Sequence, residues 1–139
     1  MSVYREIIQL RTSGREDLNN ISSEVQAIVR RSKISEGIVH VFNIGSTGVI
    51  GTIEFEPGLK KDLPDLLRKL IPPSRHYGHE MTWHDGNGHS HLQATLMGPE
   101  ISFPVGKGEM LSGTWQQIFH YEADIKPRSR QIVVTVIGE

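Results

Sequence analysis

The chain has 139 residues, 37% hydrophobic and 22% charged, with a formal net charge of −1. That composition suits one ordinary globular domain with a modest core and lacks the basic excess that electrostatic nucleic-acid binding needs. There are no cysteines, which excludes disulfides, thiolate ligands and thiol catalysis. No stretch approaches the roughly 20 apolar residues of a membrane span, and the N-terminus lacks a long apolar signal segment. The expectation is a cytoplasmic chain with no nucleic-acid or membrane partner.

Residues 3–11 alternate loosely and predict a first strand, followed by a turn at Thr12-Ser13-Gly14-Arg15. Ile21, Val25, Ile28 and Val29 repeat at helical spacing, with Ser22 or Asn20 as N-cap and Arg30-Arg31 near the favourable end of the macrodipole. The β-branched run 37–44 predicts a strand with Val39, Val41 and Asn43 on one face and His40 and Phe42 on the other. Gly45-Ser46-Thr47-Gly48 interrupts it, and 49–55 resumes as a strand carrying Glu54. Pro57 and the leucines at 59, 63, 66, 67 and 70 predict a helix that starts late or kinks at Pro64 and stops at Pro72-Pro73.

Residues 75–91 follow, with five of the seven histidines, no apolar periodicity and glycines at 78, 86 and 88, and they read as one long loop. A short glycine-capped helix, or else a strand, is expected over 91–98. Strands at 101–105, 109–111, 116–122 and 131–137 close the chain. The sum is an α+β domain with a mainly antiparallel sheet, two main helices and a short one.

His79, His89 and His91 are the candidate metal ligands. On an extended segment, residues 89 and 91 point the same way and can grip one ion, and His79 can fold back as a third ligand. Zinc is the metal expected first, with magnesium if the substrate is a diphosphate. Asp85 or Glu80 can supply an oxygen ligand, orient an imidazole or act as base. Ser46 and Thr47 can hold a phosphate through hydroxyls and amides, or form a simple bend. Glu54 can project into a cleft or lie exposed at an edge. Trp115 can stack on a heterocycle or cap the core, and Trp83 can wall a pocket. Lys126 to Arg130 can meet a small phosphate.

Gly37 to Phe42, the Ser46-Thr47 pair with Glu54, Tyr77-x-His79, Ser90-His91-Leu92-Gln93-Ala94, Gly113-Thr114-Trp115-Gln116 and Arg128-x-Arg130 together resemble the secondary thiamine-phosphate synthase family over nearly the whole chain. The resemblance implies a β-sandwich-like α+β core that trimerises about a threefold axis. It implies a histidine-lined cleft at the subunit boundary with a bound metal or anion, and a weak transferase activity that releases pyrophosphate. Glu54, His79, His91, Thr114, Trp115 and Gln116 match the family's positions. Gly45 stands where that family has a histidine, and His84 and His89 are candidates to replace it.

On this reading Glu54, His84 and Asp85 are the catalytic candidates, while Ser46, Thr47, Asn87, Thr114, Trp115, Arg128 and Arg130 bind a small phosphorylated ligand. Two rivals are a metal-dependent hydrolase of a small phosphorylated molecule and a non-enzymatic metal- or anion-binding trimer.

Overall fold

A computed structural model describes residues 1–139. Twelve elements follow one another: β1 (Ser2–Arg11), β2 (Leu18–Asn20), α1 (Ser22–Ser32), β3 (Glu36–Ile44), β4 (Gly48–Ile53), α2 (Pro57–Leu70), α3 (His79–Trp83), α4 (Gly88–Met97), β5 (Glu100–Gly106), β6 (Glu109–Met110), β7 (Gln117–Glu122) and β8 (Ser129–Gly138). They form a five-stranded sheet in the order β1-β8-β3-β5-β6 and a three-stranded sheet in the order β2-β7-β4. Every strand pair is antiparallel. The mixed α+β class is as expected.

Alternation along the strands builds the layers. Val39 and Val41 of β3, Phe103 and Val105 of β5, and Ile132, Val134 and Val136 of β8 point inward from the large sheet. They meet Ile50 of β4, Ile118 of β7 and the apolar stripe Val25-Ile28-Val29 of α1. A second cluster on the other side of the small sheet joins Val49, Phe119 and Tyr121 to Leu67 of α2 and Ala94 of α4. The small sheet is therefore sandwiched between α2 and α4 on one face and the large sheet and α1 on the other.

The helices differ from expectation in number. There are four, and the stretch read as one long loop carries α3 and the first turn of α4. Glycine content and scattered polarity concealed them, because helices this short rest on tertiary contacts and show little periodicity of their own. α1 starts as predicted, but no side chain fills the expected cap at Ser22: its hydroxyl instead accepts from the Ile118 amide, and Asn20 Oδ1 accepts from the Ser22 amide. α2 starts at Pro57 and is continuous through buried Pro64, with Glu56 capping its first amides. No helix is long and apolar enough to cross a membrane.

Candidate functional site

The end of β7 carries two acids into the interior. Glu122 is 0% and Asp124 1% exposed. A buried carboxylate survives only if donors surround it, and here they do. Arg130 Nε donates to Glu122 Oε1 at 2.8 Å and Arg130 Nη2 closes the ion pair on Oε2. Thr12 Oγ1 donates to Glu122 at 2.8 Å. Asp124 Oδ2 accepts from Thr47 Oγ1 at 2.9 Å, Asn87 Nδ2 at 3.1 Å and Arg128 Nε at 3.0 Å. Burial works against the Asp124 charge, but the Lys126 amide, Asn87, Thr47 and Arg128 together hold its carboxyl below the usual carboxylate range.

This lattice fixes one wall of a cleft of about 360 Å³ with no hydrophobic residue in its lining. Gly45, Ser46, Asp85, His91, Arg128 and Arg130 face it, and Ser129 with the lattice members Thr47, Asn87 and Asp124 completes it. Across it, His79 Nε2 lies 3.1 Å from Asp85 Oδ1, and the His79 and His91 rings stand 4.6 Å apart between centroids. The Asn87 amide holds the Asp85 carboxyl low, with His79 adding to the effect. Burial, reinforced by the His79 charge, lowers the His91 pKa. The result is a dyad of one carboxylate and one imidazole, with a second imidazole beside it whose charge burial disfavours.

Seven predicted residues thus line one cleft: Ser46, Thr47, Asp85, Asn87, His91, Arg128 and Arg130. His79 joins them through Asp85. Thr47 and Asn87 are 4% and 5% exposed, and both are engaged in the lattice, so they position the cleft wall.

The other predicted site residues lie elsewhere. His89 belongs to a different pocket, with Arg15, Gln93 and Tyr121. The reason is helical: residues two apart on α4 are rotated by roughly 200°, so His89 and His91 diverge where an extended segment would align them. No group of three or more His, Cys, Asp or Glu side chains converges to hold a metal ion, and the zinc or magnesium centre is carried no further.

Glu54, Thr114 and Trp115 line a third depression with Asn20 and Gln117, of about 330 Å³, at the edge of the small sheet. His84 caps α3 in the left-handed conformation, and its side chain is exposed. It therefore does not replace the missing histidine at position 45. Trp83 is 69% and Trp115 71% exposed, so neither caps the core. Glu80 is buried and paired with Arg75 at 3.2 Å.

The sequence reading missed Glu122, Asp124, His120 and Asn43. The available signal was an acid at either side of Ala123 after a β run, but nothing in the pattern says that such acids turn inward. Gly45 has a physical explanation: its φ is +135°, and a Cβ there would stand 2.7 Å from Arg130 Nη1. Gly45→Ala is expected to displace the Arg130 guanidinium and to destabilise the chain by about 1–3 kcal/mol, read as a lowered urea midpoint. An unchanged midpoint would show that the turn tolerates a side chain.

Comparison with known proteins decides the family. The profile described as UPF0047 protein YjbQ-like matches residues 6–139. The chain belongs to the YjbQ-like UPF0047 family. A UPF0047 protein of Methanothermobacter thermautotrophicus is 41% identical over 139 residues, which cover 100% of this chain and 95% of that one. A Bacillus subtilis UPF0047 protein, YugU, is 27% identical over 133 residues, 94% of this chain and 97% of that one.

Among solved structures, a YbjQ-like protein of unknown function from Sulfolobus solfataricus superposes with a TM-score of 0.93 at 38% identity, covering 99% of each chain. A hypothetical protein from Aeropyrum pernix gives 0.89 at 27% identity, covering 97% of this chain and 98% of that one. Membership in UPF0047 corrects the thiamine-phosphate synthase resemblance. The motifs that suggested it are those of the UPF0047 family, whose matched relatives are named for no such activity, and the transferase and hydrolase readings fall with it.

Proposed function

We propose that the polar cleft binds a small phosphorylated ligand in the cytoplasm, with the phosphate seated on the turn at residues 45–47. The observation that carries this reading is a set of free donors. The amides of Gly45, Ser46 and Thr47 donate to no group in the chain. Arg130 is anchored through Nε and Nη2, which leaves Nη1 beside Gly45 without an acceptor. Successive backbone amides next to a guanidinium make an anion seat, and the absence of a side chain on Gly45 lets an oxyanion approach both. The His79–Asp85 pair and His91 then face the rest of the ligand, where a hydroxyl can exchange hydrogen bonds with them.

Titration with inorganic phosphate and glycerol phosphate, followed by amide chemical shifts, tests the seat. Saturable shifts at residues 45–47 are expected. Ser46→Ala and Arg128→Gln should each weaken binding about tenfold, the effect of losing one charge-assisted hydrogen bond. No shift at millimolar phosphate would end this reading.

We also infer that copies of the chain meet through the outward face of the large sheet, as in the homotrimer expected above. The register sets Val3, Ile137, Ile38 and Pro104 in one row across four strands, and Ile7, Val133 and Phe42 in another. Val3 is 62%, Ile38 56% and Ile7 48% exposed in the single chain. These two apolar rows flank the polar row Arg5, Thr135, His40 and Ser102 on the same face, and exposed apolar side chains rimmed by polar ones are of the kind that marks an interface. Sedimentation equilibrium should give the mass of three chains, and Ile38→Glu should reduce it to one. A single-chain mass for the unaltered protein would refute the association.

A further inference from the structure

α4 has two working faces. His91 faces the phosphate cleft, while His89 faces away into a pocket of about 300 Å³ with Arg15, Arg68, Gln93 and Tyr121 in its wall. A smaller recess of about 180 Å³, reaching Gly86 and Ile125, shares Arg15, Pro73 and His89 with it.

Three features make this more than a gap between elements. His89 is only 5% exposed, yet its Nδ1 is buried and makes no well-formed hydrogen bond, the Gly86 backbone acting on it only weakly. A buried polar nitrogen without a partner is costly unless something supplies one. Arg15 is the second feature. Arg68 is held by Glu16 and Asp65, and Arg75 by Glu80, whereas Arg15 is an exposed guanidinium with no carboxylate on it. Third, Pro73, Ala123 and Tyr121, with Ile125 in the adjoining recess, give the wall an apolar part beside Gln93 and the Glu16 carboxylate that Arg68 holds. A cation at the mouth, an imidazole nitrogen without a partner inside and a partly apolar wall between them match a compact ring that carries one acid group.

We propose that this pocket is a second binding site, for a small organic anion with a flat apolar body, whose acid group is held by Arg15 and whose ring lies against Pro73 and Tyr121 beside His89. Carboxylates and phosphate monoesters share that chemistry. The site does not depend on the phosphate seat at residues 45–47, from which the Asn87–His91 turn separates it.

The probes are benzoate and phenyl phosphate, with inorganic phosphate as the control lacking an apolar body, added to full-length protein labelled with ¹⁵N-histidine. Saturable movement of the His89 imidazole resonances with at least one aromatic probe is expected, while inorganic phosphate alone leaves them in place. The stronger of the two aromatic probes identifies the acid group.

Arg15→Gln alters only an exposed turn residue, so its thermal midpoint should match the parent. It should weaken the aromatic probe about tenfold, as expected for loss of a charge-assisted contact. Ser46→Ala should leave the His89 response unchanged. The proposal is overturned if His89 does not move, if only His79 and His91 move, or if Arg15→Gln binds the probe as tightly as the parent.

Discussion

Replacing Arg130 with methionine is expected to cost about 3–5 kcal/mol of stability, the penalty for leaving a buried carboxylate without its counter-charge. Glu122 is 0% exposed, and the Arg130 side chain 6%. With the guanidinium gone, Thr12 Oγ1 and the Asp124 amide remain as donors to Glu122, too few to replace a full positive charge. The same substitution frees Thr47 Oγ1 from its Arg130 contact. The phosphate seat should therefore loosen along with the fold.

Urea unfolding gives the stability change directly. The double variant Arg130→Met with Glu122→Gln should recover part of it, because the orphaned charge is removed with its partner. If the single variant loses less than about 1 kcal/mol, the size of an exposed ion pair, the ion pair is solvated in solution and the lattice does not set the cleft wall.

Acidification should weaken the fold through His120. The ring is 0% exposed, its Nε2 lies 3.0 Å from Asn43 Oδ1, and its Nδ1 has no partner. Burial, with the Arg130 charge adding to it, lowers its pKa from 6.5 to about 4. Unfolded chains take up the proton near pH 6.5 and folded ones only near pH 4, so between those values the unfolded state binds more protons and stability falls as pH falls. Below about pH 4 both states are protonated and this contribution levels off, after removing about 3 kcal/mol.

His89 and His91 are shifted in the same direction and add to the decline. His120→Gln keeps a donor for Asn43 without a titrating ring. Its stability should depend less on pH over that window, by about the same 3 kcal/mol. Equal pH slopes for the two proteins would mean that His120 is protonated or hydrated in the folded state.

All the strands but the three-residue β2, and the two longest helices, were legible from local pattern. β-branched alternation at 37–44 and 131–137 and the leucine stripe of α2 each report burial on one side, which sequence spacing records directly. The Ser46, Asp85, Asn87, His91, Arg128 and Arg130 set was legible as residue types. Its convergence was not, because the β4, α4 and β8 segments that carry it are brought together only by the packing of two sheets.

His89 shows the limit most clearly. As part of a loop it would be a metal ligand beside His91, and as part of a helix it faces another pocket. Six apolar or small residues over 92–98 did not reveal that the helix begins at Gly88. Its first turn lies against the Tyr77 and His79 side chains, close enough that a Cβ on Gly88 would stand 2.9 Å from Tyr77 Cβ. The amino-acid order by itself determined which segments bury a face and which carry polar chemistry. Tertiary structure alone decided which of those polar groups meet, because the direction of a side chain depends on the backbone period of its segment, and in α3 and the start of α4 that period is set by contacts distant in sequence.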